Sequence, residues 1–148
     1  MIDCHRMKVD RMHKDDQDNG QGLIEFALVL PILLLLIIGA LDYGFAFFMK
    51  VELENSAREG AFYMVYNSNE PGAFDEAKNR VQLEGGNAGI TISLSDIDVV
   101  CMVGTVVDNT CPSNSTVIVT VRHQMPLAVD IFGNGPLELS SDARMRIP

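Results

Sequence analysis

Basic residues are scarce in this chain of 148: eleven Lys and Arg stand against twenty Asp and Glu, for a formal net charge of −9. A deficit of that size excludes non-specific binding to nucleic acid, which runs on Lys and Arg neutralising phosphates. Arrangements that carry catalysis are missing too. There is no Gly-rich phosphate loop, no nucleophile elbow and no pair of carboxylates at convincing spacing. His123 stands alone in a strand-like run, without a second His, a Cys or a Ser to make it a catalyst. Cys4, His5 and His13 lie in a polar tail, where such a trio is coincidence far more often than a metal site. Asp96 and Asp98 alternate with apolar neighbours and read as the solvated face of a strand, since a calcium site needs about 6–8 oxygens. Neither an enzyme activity nor a cofactor nor a bound metal is expected, and the chain has no internal repeat or low-complexity tract.

Apolar residues, by contrast, make up 47% of the chain and are concentrated in one place. Residues 1–20 hold four basic and five acidic side chains and no apolar run. From Leu23 to Leu41 the sequence reads LIEFALVLPILLLLIIGAL, nineteen residues with a single charge, Glu25. At about 1.5 Å per residue such a helix spans roughly 28 Å, the thickness of a bilayer's hydrocarbon core. The run is longer than a signal-peptide core and continues into Asp42-Tyr43-Gly44-Phe45-Ala46-Phe47-Phe48, compatible with further helix. The block Leu33–Leu36 with Ile32, Ile37 and Ile38 is apolar on every face, unlike a core helix. A permanent transmembrane helix in contact with lipid is the expectation.

Orientation follows from the flanking cations. Arg6, Lys8, Arg11 and Lys14 precede the helix, whereas only Lys50 and Arg58 follow it closely, which puts the N-terminus in the cytoplasm. Cys101 and Cys111 then lie in an oxidising compartment, separated by a turn-rich segment with Gly104, Asp108 and Asn109. With this topology a disulfide between them is expected, two unpaired buried thiols being the alternative; Cys4 stays reduced.

The helical pattern extends from about Leu23 to Tyr66, with Val51, Leu53, Ala57, Ala61 and Val65 free to pack on a globular domain. Asn67-Ser68-Asn69 ends it. Pro71 suits the first turn of a second helix, in which Phe74, Ala77, Val81 and Leu83 recur and Gly85-Gly86 supplies the stop. Ile90–Ser95 alternates with period two, and Ile97–Val103, Thr116–Val121 and Leu137–Ile147 are further strand candidates. The expected class is α+β: a long N-terminal helix packed on a short helix and a mostly antiparallel sheet of about four strands.

The boundary of the apolar run carries the most information. A carboxylate this close to the start of a spanning helix is costly to insert and functional by default, unless Glu25 simply snorkels to the headgroups. The string Gly20-Gln21-Gly22-Leu23-Ile24-Glu25-Phe26-Ala27-Leu28-Val29-Leu30-Pro31, continuing through Asp42-Tyr43-Gly44 to Asn55-Ser56-Ala57-Arg58-Glu59-Gly60-Ala61, resembles the TadE-like family. These are the minor pseudopilins of tight-adherence (Flp-type, type IVc) pilus systems, and the fold that the resemblance implies is pilin-like. It covers about residues 20–63. The bare Gly-x4-Glu-Phe would be a weak signal; the collinear match through Pro31 to Arg58-Glu59-Gly60-Ala61 is specific.

The resemblance implies a division of the chain into a cytoplasmic prepilin leader (1–20), a transmembrane helix (21–42) and a periplasmic or extracellular domain (43–148). Prepilin peptidase would cut between Gly20 and Gln21, leaving Glu25 and Phe26 as the assembly and processing motif. The Glu25 carboxylate would then meet the N-terminal amine of a neighbouring subunit, since a charge in low dielectric is tolerable only when paired. Family leaders usually carry basic residues directly before the Gly, whereas this one ends Lys14-Asp15-Asp16-Gln17-Asp18-Asn19-Gly20. Pro31 removes one helix hydrogen bond, giving either a weak point able to extend on assembly or a harmless kink. Implied partners are the peptidase, other pilins or pseudopilins, the pilus assembly platform and membrane lipid, with no nucleic acid. The competing reading is a single-pass, inner-membrane-anchored periplasmic scaffold or adhesin that never enters a filament.

Overall fold

The computed structural model describes residues 6–108, 110–128 and 135–148, with side chains from residue 20 onward apart from Asp108. Cys4, His5 and the Gly133-Asn134 part of the last connection lie outside the described residues, as does the side chain of His13. The elements in order are α1 (Arg6–Asn67), α2 (Ala73–Asn87), a 3₁₀ turn (Leu94–Asp96), β1 (Ile97–Val103), β2 (Val106–Asp108), β3 (Thr116–Met125) and β4 (Leu137–Arg146). The chain divides into two compact units between Leu41 and Asp42, and α1 contributes to both.

In the first unit the apolar run has no buried face. Ile32 to Ile37 are six consecutive residues, and each is between 45% and 67% exposed. At 100° per residue these six point to every side of the helix, so this segment is not the core helix of a soluble fold. Among the described residues it is the one helix long and apolar enough to cross a membrane, which is compatible with a single-pass anchor. The helix begins at Arg6 rather than near Leu23 as expected. Residues 6–19 contain neither Pro nor Gly, so nothing in them interrupts a helix once the apolar run has nucleated it.

In the second unit the sheet is antiparallel throughout, in the order β2-β1-β3-β4. Strand alternation sends Ile97 and Cys101 of β1, Val117, Val119, Val121 and Met125 of β3, and Ala143 of β4 into the core. Facing them, Met49, Leu53, Ala57, Ala61 and Met64 form a stripe at three- and four-residue spacing on α1, while Ala73, Ala77, Val81 and Gly85 do the same on α2. Val51, expected on the packed side, is exposed. The outer face of the sheet carries an Asp98–Arg122 ion pair at 2.8 Å beside the half-buried Val100, Met102 and Ile118. The result is an α+β fold of pilin-like layout, as expected.

Several local expectations need correcting. Pro71 does not enter α2, because Gly72 in the left-handed conformation (φ 82°) is the N-cap and the helix starts at Ala73. Gly85-Gly86 does not stop α2, which runs on to Asn87; Gly85 is buried, and a Cβ there would collide with the Ile92 side chain. Leu83 points outward, since the buried stripe falls on residues four apart from Ala73. Ile90–Ser95 is not a strand. Ile90 and Ile92 are buried as the alternation implied, but their backbone bonds to α2: Ile90 N–H donates to the Gly85 carbonyl at 2.8 Å, and Gln82 Nε2 donates to the Ile92 carbonyl at 2.7 Å. Asp96 accordingly lies in the 3₁₀ turn, not on a strand face. The fourth strand is the three-residue β2, paired with the end of β1.

Candidate functional site

Gly20 to Phe26 form regular helix within α1, so the Gly20–Gln21 bond is in a helical conformation. Two glycines flank Gln21, and neither has any neighbouring atom that an added Cβ would meet. Glycine weakens a helix interior by about 1 kcal/mol relative to alanine, so this turn is the easiest of the surrounding ones to unwind. Gln21 to Val29 are exposed, and Phe26 is 60% accessible. The Gln21 side-chain Nε2 donates to Glu25 Oε1 at 3.3 Å, one helical turn away. Pro31 lies within α1, which is helical on both sides of it.

The distal half of the motif belongs to the second unit, and there its residues have structural work that spacing alone did not reveal. Asp42 accepts the Ala128 backbone N–H on both carboxylate oxygens, at 3.2 Å each. It thereby ties the connection after β3 to α1. Removing this acceptor by Asp42→Ala is expected to speed exchange of the Ala128 amide about fivefold, the factor for one hydrogen bond of about 1 kcal/mol, with little change at β1 amides. Further along α1, Lys50 Nζ donates to the Ser140 carbonyl, and Ser141 Oγ donates to the Lys50 carbonyl at 3.2 Å. These contacts clasp α1 to β4.

In the segment Asn55-Ser56-Ala57-Arg58-Glu59-Gly60-Ala61, the residues Ser56, Ala57, Gly60 and Ala61 are buried. Ser56 Oγ donates to the Glu52 carbonyl at 2.9 Å, which satisfies the hydroxyl within its own helix. Gly60 faces both α2 and β3: a Cβ built there would lie 2.5 Å from Val81 Cγ2, 3.2 Å from the Ala77 carbonyl oxygen and 3.5 Å from Val119 Cγ1. Arg58 turns outward and pairs with Glu54 at 2.6 Å. The Arg80 guanidinium of α2 lies 5.6 Å from the centre of the Tyr63 ring, a second tie between the two helices.

Cys101 and Cys111 form a disulfide, with Cα atoms 5.2 Å apart, and both residues are fully buried. The bridge closes the β1–β2 hairpin. His123, Arg122, Gln124 and Glu138 line an open polar groove at the end of the sheet with Thr91, Ser93 and Asp96.

No curated protein and no solved structure matches the chain. A protein-family model does: over residues 20–61, from the glycine before Gln21 to the alanine that follows Gly60, the chain is similar to the family described as TadE-like protein.

Proposed function

We propose that this chain is a minor pseudopilin, made as a precursor, inserted with its N-terminus in the cytoplasm, trimmed by prepilin peptidase after Gly20, and used in assembling or priming a tight-adherence pilus. The observation that carries the reading is the TadE-like match, which begins at Gly20 and extends through an apolar helix exposed on every side. That family associates the chain with the tight-adherence pilus. The finer role draws on the Gly-x4-Glu-Phe boundary and on a helix that passes from the exposed apolar run into the buried stripe of the sheet domain. The disulfide supports export of the sheet domain to an oxidising compartment.

In this reading no residue of the chain does chemistry. Peptidase acts on an extended substrate, so the helical turn at Gly20 has to open, and Gly20 and Gly22 keep that opening inexpensive. Glu25 then stands at the fifth position of the mature chain. A carboxylate at that depth favours a neighbour whose terminal amine is within reach, which sets subunit register.

Intact-mass measurement in cells with and without prepilin peptidase tests the proposal. The expected result is loss of residues 1–20 only where the peptidase is present. A full-length mass in both strains overturns it. Glu25→Ala and Glu25→Gln are expected to spare trimming while sharply reducing surface pili; wild-type piliation in both variants would favour an anchored scaffold outside the filament.

A further inference from the structure

Trimming after Gly20 would create a chemical liability, because the new first residue is glutamine. The free α-amine of an N-terminal glutamine attacks its own side-chain Cδ. A lactam C–N bond forms, the Cδ–Nε2 bond breaks, and ammonia departs with the proton the amine gives up. No oxidant or further reactant is needed. The product is a neutral ring in place of a cationic amine, and the terminus loses the charge that a carboxylate partner requires.

The structure contains a device against this. The Gln21 side-chain amide is directed along α1 toward its C-terminal end, where Nε2 donates to Glu25 Oε1 at 3.3 Å. The backbone nitrogen of Gln21 lies on the opposite side of that residue, toward the helix N-terminus. While the side chain is held one turn forward, its Cδ faces away from its own nitrogen, and cyclisation waits for the hydrogen bond to open. A carboxylate accepting from Nε2 also pushes electron density into the amide and makes Cδ a poorer electrophile. Nothing else near this end is able to serve: Gly22, Leu23, Ile24, Phe26, Ala27, Leu28 and Val29 offer no polar side chain, and Gln17 and Asp18 leave with the first 20 residues.

We propose that Glu25 is a positioning residue that holds the Gln21 amide forward and so keeps the mature α-amino group open. The site at risk is a modification site, Gln21, and its modification is cyclisation to pyroglutamate. This inference rests on trimming after Gly20, and its test is built to separate the two.

The mature chain, residues 21–148, is produced in detergent micelles from a ubiquitin-like fusion cut immediately before Gln21, so that no prepilin peptidase is involved. Loss of ammonia from the N-terminal peptide is then followed by mass spectrometry over days at neutral pH. Glu25→Ala is expected to cyclise about fivefold faster than the wild-type chain, the factor that one hydrogen bond gives. Glu25→Gln keeps a carbonyl acceptor at the same place and is expected to stay close to wild type. Equal rates in Glu25→Ala and wild type overturn the proposal, and so does a Glu25→Gln chain that cyclises as fast as Glu25→Ala. In cells, a chain that still begins at Met1 counts against trimming alone and leaves the fusion experiment to decide the role of Glu25.

Discussion

Replacing Gly60 with alanine is expected to destabilise the sheet domain by about 1–2 kcal/mol, although alanine is the better helix former. The intrinsic preference favours alanine by about 1 kcal/mol in a helix interior. Against it stands overpacking, which costs about 1–3 kcal/mol in a filled core. The contact here belongs at the upper end of that range. The added methyl would lie 2.5 Å from Val81 Cγ2 and 3.2 Å from a backbone oxygen, that of Ala77. A β-branched valine in a helix has one strongly preferred rotamer and cannot swing clear, and the carbonyl moves only if α2 moves. Val119 Cγ1 at 3.5 Å blocks retreat toward the sheet. For a domain of this size the loss corresponds to a fall of roughly 4–15 °C in the thermal midpoint, measurable by circular dichroism of the full chain in micelles. Shortening the obstacle tests the cause: in a Val81→Ala background, Gly60→Ala should cost nothing or stabilise, giving a coupling of about 1–2 kcal/mol in the double-mutant cycle. Gly44→Ala is the control, since a Cβ there meets nothing within 4 Å. A Gly60→Ala chain as stable as wild type would mean that α1 and α2 do not approach as closely as the structure has them.

That close approach explains why the motif includes a glycine where helix propensity opposes one. It also marks the boundary between what was legible in the residues and what was not. Signals confined to one element came through. The all-round apolar run, the break after Asn67, the limits Ile97–Val103 and the alternation of β4 are properties of consecutive residues, whereas β3, expected only over Thr116–Val121, runs on to Met125 because its end pairs with β4. The hydrogen bond from Gln21 to Glu25 is just as local, four residues apart, but it was not among the expectations. Features that depend on a partner elsewhere did not come through. Ile90 and Ile92 alternate like strand residues, but alternation reports only which side chains are buried. The atoms that bond that segment are in α2, so it pairs with a helix and not with a strand. β2 fails the opposite way: three residues are too few for a pattern, and their extended form comes from pairing with β1. The Asp42–Ala128 and Lys50–Ser140 contacts join residues 86 and 90 apart in the chain, a distance over which spacing carries no signal. Gly85 was misread because a glycine pair near a helix end resembles a stop, when the i+4 stripe of Ala73, Ala77 and Val81 points to burial at that position.

Removing the disulfide by the double substitution Cys101→Ala/Cys111→Ala is expected to have the larger effect, a loss of about 2–3 kcal/mol in the loop-closure account of cross-links. The two cysteines are at a sequence separation of 10, a short loop, so the entropic gain is at the modest end for a disulfide. Its importance here comes from what the loop contains. β2 has only three residues and lies at the edge of the sheet, held on one side by β1. Its exposed Val106 and Val107 contribute little burial of their own. Both half-cystines, however, are fully buried beside the core that Val117 and the other inward residues of β3 build, so the bridge anchors a weak edge to a strong centre. Alanine avoids placing a hydroxyl in that apolar site, where a serine would add the separate cost of a buried polar group. The edge hairpin should therefore loosen before the rest: amides of β2 are expected to lose protection first, while the β3–β4 pairs keep theirs until global unfolding. Chemical labelling gives an independent check. In the folded wild-type chain Cys101 and Cys111 should resist alkylation until reductant is added, and reduction should lower the thermal midpoint by about the same amount as the double substitution. A reduced chain that melts with the oxidised one would show that β1 and β3 alone hold this edge in place.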